Sequence, residues 1–351
     1  MKNDKPFEGI KVVELASVLA GPAVGMFFAE LGAEVIKIEN PLTGGDVTRN
    51  WKTPEENNPT ELSAYYQSVN WGKEILFLDI ASKNGYEEFL KILNDADILI
   101  VNFKSGDAEK FKLDYKSLSK IFPKLICGYI NGYNENDSRP AFDLVMQAET
   151  GFMSMNGTAE SGPLKMPVAI IDLMAAHQLK EGILTALYLR EKNGKGNSIH
   201  VSLFDSAIAT LANQASNFLI TGNTPQLRGS LHPNIAPYGE TFLCADSHYI
   251  VLAIGTEKQF LQFCTVIGRP ELFANPKFFH NAARVLNRLE LEENIRPFFL
   301  RRVSSQASAI LEKGGIPFAI VKSVGETLSS NEVKDLLIEG KLVRTAIFEI
   351  H

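Results

Sequence analysis

Between residues 10 and 40 the apolar positions fall in two short runs, 11–15 and 35–38, separated by a small-residue loop and a stretch that Pro22 opens and Gly32 stops. Short apolar runs read as strands and the stretch between them as a helix, which makes a strand–helix–strand unit. Further strands are expected at 75–78, 97–101 and 125–130, with a helix through 86–93. Strands alternating with helices place the chain in the α/β class, with a mainly parallel sheet covered on both faces. Residues 142–151 then read as helical, and 168–171 form an apolar run that ends at Asp172. Leu179, Ile183, Leu184, Leu187 and Tyr188 recur at helical spacing, so a long helix is expected over 173–192, closed by Asn193-Gly194. Residues 198–204 alternate as a strand, and Asp205 is placed to cap a helix running to about residue 221.

Residues 223–237 hold three prolines and Gly229 and read as a connector. A second α/β pattern follows, with strands at 249–254 and 318–321, helices at 257–267, 282–300, 307–313 and 333–338, and a final stretch at 342–350. With 351 residues and 45% apolar content, the chain is long enough for a large core and a smaller second domain. A net charge of −6 argues against a broad nucleic-acid surface or an anionic-membrane surface. It leaves room for a polyanionic small ligand held by a few local cations. Cys127, Cys244 and Cys264 stand far apart with no C-x-x-C pair, which suits reduced thiols in cytoplasm. The start of the sequence shows no apolar signal segment, and the uncharged run 15–29 is too short to span a membrane.

Three places could carry chemistry. The first is the loop 16–22 after the first strand, where open parallel sheets bind ligands and a helix N-terminus attracts phosphate; it is equally an ordinary tight turn. Glu39, at the end of the second strand, would suit a ribose hydroxyl or be a plain surface acid. The second is Asn102-Phe103-Lys104 with Lys110 beyond it, where the lysines could meet phosphates and the asparagine an amide, or simply be solvated loop residues. The third is Asp172, a lone carboxylate between an apolar run and a long helix. It can be the helix N-cap, and it can also be a nucleophile held ionised by the helix terminus, whose amides could stabilise an oxyanion. The six histidines show no zinc spacing, no G-x-S-x-G elbow occurs, and the cysteines have no evident local base, so metal, serine and cysteine chemistry are disfavoured. His232-Pro233-Asn234 reads as a turn that could border a site.

In order along the chain, G-I-K-V-V-E-L-A-S-V-L-A-G-P (9–22), L-G-A-E-V-I-K-I-E (31–39), G-D-V-T-R (45–49), V-N-F-K-S-G (101–106), F-D-L-V-M-Q-A (142–148), I-D-L-M-A-A (171–176) and V-S-L-F-D-S (201–206) resemble the family III (CaiB/BaiF) CoA-transferases. The resemblance covers essentially the whole chain. It implies a Rossmann-like parallel-sheet large domain over 1–222, the connector 223–237, a smaller α/β domain over 238–325 and a shortened return segment over 326–351. It further implies an interlocked-ring homodimer; the cysteines and the chain's start point to the cytoplasm, and the charge balance and histidine spacing to no nucleic-acid or membrane partner and no metal. The substrates it implies are an acyl-CoA and a free carboxylic acid. Asp172 is then the catalytic carboxylate, acylated as a mixed anhydride and then as an aspartyl-CoA thioester. Val18, Leu19, Ala20, Asn102, Phe103, Lys104 and Lys110 are the residues expected to hold coenzyme A. The family's basic residues after the second strand and in its N-R-G-K-R segment are here Asn40-Pro41 and N-W-G-K-E (70–74), and its glycine-rich loop is the sparser R-G-S-L-H-P (228–233).

Two rivals share that fold: an α-methylacyl-CoA racemase and a non-catalytic acyl-CoA-binding paralogue. Racemisation needs a base on each face of the α-carbon, and Phe142 stands where the racemase pattern carries histidine, although Glu257 resembles another racemase-site position. An NAD-dependent dehydrogenase fails for want of G-x-G-x-x-G in the first loop.

Overall fold

The structure is a computed structural model that describes residues 5–58, 62–104, 106–134, 137 and 139–349. Ser105 of the 101–106 motif, the start of the chain and the end of the 342–350 stretch lie outside the described residues. Two compact units divide the chain: Met1–Phe152 with Lys165–Ile220 and Glu332–His351, and Met153–Leu164 with Thr221–Asn331.

In the first unit β1 (Lys11–Leu15), β2 (Glu34–Glu39), β3 (Glu74–Phe77), β4 (Ile98–Val101), β5 (Ile126–Asn131) and β6 (Ser198–Ser202) form one parallel sheet. Its order is β3-β2-β1-β4-β5-β6, so the direction of winding reverses between β1 and β4. Crossover helices are α1 (Ala20–Glu30), α2 (Ala64–Asn70), α3 (Lys83–Leu93) and α4 (Asp107–Lys110), followed by α5 (Asp143–Glu149) and α6 (Ile170–Asn193). Because side chains alternate along a strand, each buried strand feeds two cores. Val12, Ile98 and Ile100 face Val24, Phe28, Leu179 and Ile183 on one side, while Val13, Leu99 and Val101 face Phe89, Leu93 and Leu118 on the other.

Several boundaries move from the expected places, each for a local reason. The long helix begins at Ile170, three residues early, so Asp172 lies inside its first turn and is not its N-cap; that cap is Ala169, whose side chain bonds nothing. Strand β6 stops at Ser202, whose hydroxyl accepts from the Asp205 amide, so Ser202 and not Asp205 caps the following helix. That helix breaks into Leu203–Thr210 and Ala212–Thr221, with Ala212 at φ +46°. The expected 282–300 helix is likewise two, Asn281–Leu286 and Arg288–Leu300, and 333–338 is a 3-10 turn (Asn331–Leu336) leading into a short strand. After Leu342–Val343 the chain packs on the first unit: Thr345 donates its amide and hydroxyl to Glu30 at 2.7 and 2.6 Å, and Ala346 is buried.

The second unit is a three-stranded antiparallel sheet, Tyr238–Leu243, Tyr249–Ala253 and Phe318–Ile320, around a core of Phe242, Ile250, Phe260, Phe263 and Phe299. Arg284 is buried there because its guanidinium lies over Phe260 and donates to the carbonyls of Ala236 (2.7 Å) and Phe278 (3.0 Å).

Candidate active site

Loop 16–19 joins β1 to α1 at the carboxyl edge of the sheet beside the reversal, where doubly wound sheets bind ligands. Beneath it lies a group of charges with no solvent access. Lys37 Nζ donates to Glu14 (3.0 Å), to Asp46 (3.0 Å) and to the Ala16 carbonyl (2.6 Å); Lys73 Nζ donates to the other oxygen of Glu14 (2.7 Å), to the Pro22 carbonyl and to Asn70. Burial by itself lowers the Lys37 ammonium, but the carboxylates of Glu14 and Asp46 outweigh it and raise the pKa. For Lys73, burial wins over Glu14 and brings the group down to about 8. Gly25 permits this arrangement, since a Cβ there would fall 1.9 Å from Glu14 Oε2.

Asn102 grips the next residue of the loop: the Ser17 amide donates to Asn102 Oδ1 at 3.0 Å, and Asn102 Nδ2 donates to the Ser17 carbonyl at 2.7 Å. Its amide therefore works chiefly on the loop backbone and not on a ligand. Glu39 is no free ribose acceptor either. Its two oxygens take Arg49 (2.6 and 3.0 Å), the Tyr66 hydroxyl (2.7 Å) and the Asp46 amide (3.0 Å).

Asp172 opens on a cavity of about 370 Å³, whose lining also includes Val18, Leu19, Ala20, Asn102, Phe103 and Lys104. The residue is 8% exposed, and no described donor bonds its carboxylate. The amides at the start of α6 serve Asp143 instead, whose Oδ1 accepts from Ile171 (2.7 Å) and Asp172 (3.4 Å) while Oδ2 accepts from Gln147. Gln147 is held in turn by the Met166 amide at 2.8 Å. The expectation that the helix terminus keeps Asp172 ionised and supplies its oxyanion donors is thus corrected. Burial first, and the neighbouring charge of Asp143 second, push the Asp172 carboxyl up to about 7. The start of α1 also lines the cavity, and its N-cap, Leu19, makes no side-chain cap.

A second cavity, of about 450 Å³, lies across the ends of β1, β2 and β4 and shares Ser17, Asn102, Phe103 and Lys104 with the first. Of the residues expected around a ligand, only Lys110 lines neither; its Nζ stands 5.3 Å from the Phe111 ring centre. Sequence reading missed Asp46 and Lys37, which hold the loop, and Asp143 and Gln147, which hold the start of α6. It also missed Arg139 on the cavity wall, which reaches Asp137 and Glu149 at 2.8 and 3.0 Å. Tyr65 joins them: burial, then the charges of Asp172 and Asp143, push its phenol up to about 12. L-G-A-E-V-I-K-I-E (31–39), G-D-V-T-R (45–49) and F-D-L-V-M-Q-A (142–148) marked the segments of Lys37, Asp46, Asp143 and Gln147 beforehand.

Among the described residues no histidine lines the Asp172 cavity, and Phe142 forms part of its wall. In the second unit, burial opposes ionisation of Glu257, yet Arg284 at 2.6 Å and the Asn281 amide at 2.8 Å outweigh it and hold the carboxyl below its usual range. Neither racemase position offers a free base. His232 serves a turn, its Nδ1 accepting from the Asn234 amide. Among the described residues no group of three or more His, Cys, Asp or Glu could hold a metal ion, and no helix is long and apolar enough to cross a membrane.

The family model for CoA-transferase family III matches residues 7–339. The chain is a family III CoA-transferase. The succinate–glutarate CoA-transferase of Agrobacterium fabrum is 36% identical over 341 residues, covering 95% of this chain and 84% of that protein. The human succinyl-CoA:glutarate CoA-transferase is 33% identical over 336 residues, covering 95% and 75%. A CaiB/BaiF family protein from Brucella suis has the same fold, with a TM-score of 0.84 and 35% identity, covering 98% of this chain and 92% of that one. CoA-transferases take CoA thioesters as substrates.

Proposed function

We propose that this CoA-transferase moves CoA from succinyl-CoA, or a closely similar acyl-CoA, to a short dicarboxylic acid, with Asp172 as the covalent carrier. The names of the two relatives support the substrate class, and Lys104 lines the cavity as a cation. An oxygen of Asp172 attacks the thioester carbon, the C–S bond breaks and the CoA thiolate leaves, giving a mixed anhydride. The thiolate attacks the Asp172 carbonyl carbon, releasing the donor acid and leaving an aspartyl-CoA thioester. The incoming carboxylate displaces the thiolate to form a new anhydride. Thiolate attack on its acyl carbon then frees the product thioester and restores the aspartate. Each bond made replaces one of similar energy, so no step needs a metal or a nucleotide triphosphate.

The observation that carries this reading is a buried carboxylate, raised by its surroundings, on the wall of a cavity shared with the β1–α1 loop. Burial and the charge of Asp143 disfavour the carboxylate but not the acylated forms, which are neutral at that side chain. The same surroundings that suppress the nucleophile's charge therefore favour its covalent intermediates. Val18, Leu19, Ala20, Phe103 and Lys104 are proposed to flank the pantetheine, with Lys110 a phosphate contact only in a bound state that brings it inward. The interlocked homodimer and the division at 222, 237 and 325 are proposals resting on the family resemblance, and the cytoplasmic setting is one resting on the separated cysteines.

The test is a transfer assay in which succinyl-CoA and isotopically labelled glutarate are incubated with enzyme and the thioesters are separated. Labelled glutaryl-CoA is expected, and Asp172→Ala is expected to remove it while leaving the circular dichroism unchanged. Turnover near wild type in that variant rules out the proposed role.

A further inference from the structure

Three successive residues of the β1–α1 loop are fixed by side chains from three different segments: the Ala16 carbonyl by Lys37, both backbone groups of Ser17 by Asn102, and the Val18 amide by Asp46. The third is unlike the others. Val18 has φ +70°, the left-handed region that a β-branched side chain disfavours most. Something must hold it there. Its amide donates to Asp46 Oδ2 at 3.2 Å, with Oδ1 at 3.4 Å. Asp46 is itself immobile: Oδ2 accepts from the fully buried Lys37 at 3.0 Å, and Oδ1 accepts from the Thr48 amide (3.0 Å) and hydroxyl (2.8 Å).

Val18 lines the cavity that contains Asp172, whereas Asp46 lines the neighbouring one, and Ser17 between them lines both. We infer that Asp46 is a positioning residue for acyl transfer: it holds Val18 in the left-handed conformation and so fixes the loop against which the thioester is presented to Asp172. Lys37 serves by anchoring Asp46. A strained conformer kept by an external acceptor is preorganisation, since the ordering cost is met in folding and not on binding. The inference rests on the proposed site of transfer.

The test is a double-mutant cycle between Asp46→Asn and Val18→Gly, read as the Kd for CoA by calorimetry and as kcat and KM for acyl-CoA and for the acceptor acid. Glycine takes a positive φ without penalty, so in the V18G background the loop no longer needs Asp46 to hold it. D46N alone is expected to raise Kd for CoA and KM for acyl-CoA about tenfold, with KM for the acid within about twofold. In the V18G background the same change is expected to cost less than about threefold. Equal losses in both backgrounds overturn the inference, because the charge balance with Lys37 is disturbed identically in each. If D46N folds only together with V18G, the coupling is seen directly and supports the inference; failure to fold in both overturns it. Should no thioester be turned over by any variant, the Kd cycle still decides on Asp46 and Val18, while the proposed transfer alone falls.

Discussion

Asp172→Asn is expected to silence the enzyme and stabilise it, with a gain that grows as pH rises. The carboxyl sits at about 7 in the folded chain against an ordinary 3.8. That difference corresponds to about 4 kcal/mol between the two protonation states. The sign follows from proton counting. The folded state binds more protons than the unfolded one between pH 3.8 and about 7, so wild-type stability falls across that window as pH rises. Asparagine keeps the shape of the side chain and removes its titration. At pH 8 the variant escapes the whole penalty, roughly 4 kcal/mol; at pH 5 it escapes only roughly 2 kcal/mol. The stability gained by D172N is therefore expected to shrink by about 2–3 kcal/mol from pH 8 to pH 5, measured as denaturant unfolding free energies of both proteins at each pH. Any constant effect of the substitution cancels in that difference. A gain that is equal at the two values, or larger at pH 5, refutes the raised carboxyl.

Three further predictions test its surroundings. Asp143→Asn keeps an oxygen for the Ile171 amide but removes the neighbouring charge, so the midpoint in single-turnover acylation against pH, near 7 in wild type, is expected to move to lower pH; an unmoved midpoint contradicts the assigned cause. Lys37→Met leaves Glu14 and Asp46 buried without their shared cation and is expected to cost about 3–5 kcal/mol, seen as a lowered unfolding midpoint. Gly25→Ala drives a methyl group to within 1.9 Å of Glu14 Oε2 and is expected to lower stability by about 1–3 kcal/mol, whereas Gly9→Ala, with nothing within 4 Å, meets only the strain of φ +87°.

The layered fold was legible because its signal is local. K-V-V-E-L and I-L-I-V bury nearly every residue on two faces, and such runs need no knowledge of the rest of the chain. The start of α6 was not legible, since the group that caps it is Asp143, 28 residues upstream of Ile171, and no pattern around Asp172 records that bond. The same blindness made a capping, ionised aspartate of one whose helix amides are already occupied. Glu14 on β1 and Lys73 in the loop that follows α2 are 59 residues apart and meet only in the fold, so a buried ion pair looked like two ordinary charges. Val18 illustrates the converse limit: nothing in S-V-L-A announces a left-handed valine, because its conformation is imposed by Asp46 from another segment.

The covalent role of Asp172 is most directly tested by following oxygen. A single turnover with an acceptor acid carrying ¹⁸O in its carboxylate passes one labelled oxygen through the second anhydride onto the aspartate. Peptide mass spectrometry is then expected to find Asp172 heavier by the mass of one exchanged oxygen, and no other residue labelled. Product thioester formed in full with Asp172 unlabelled contradicts the account.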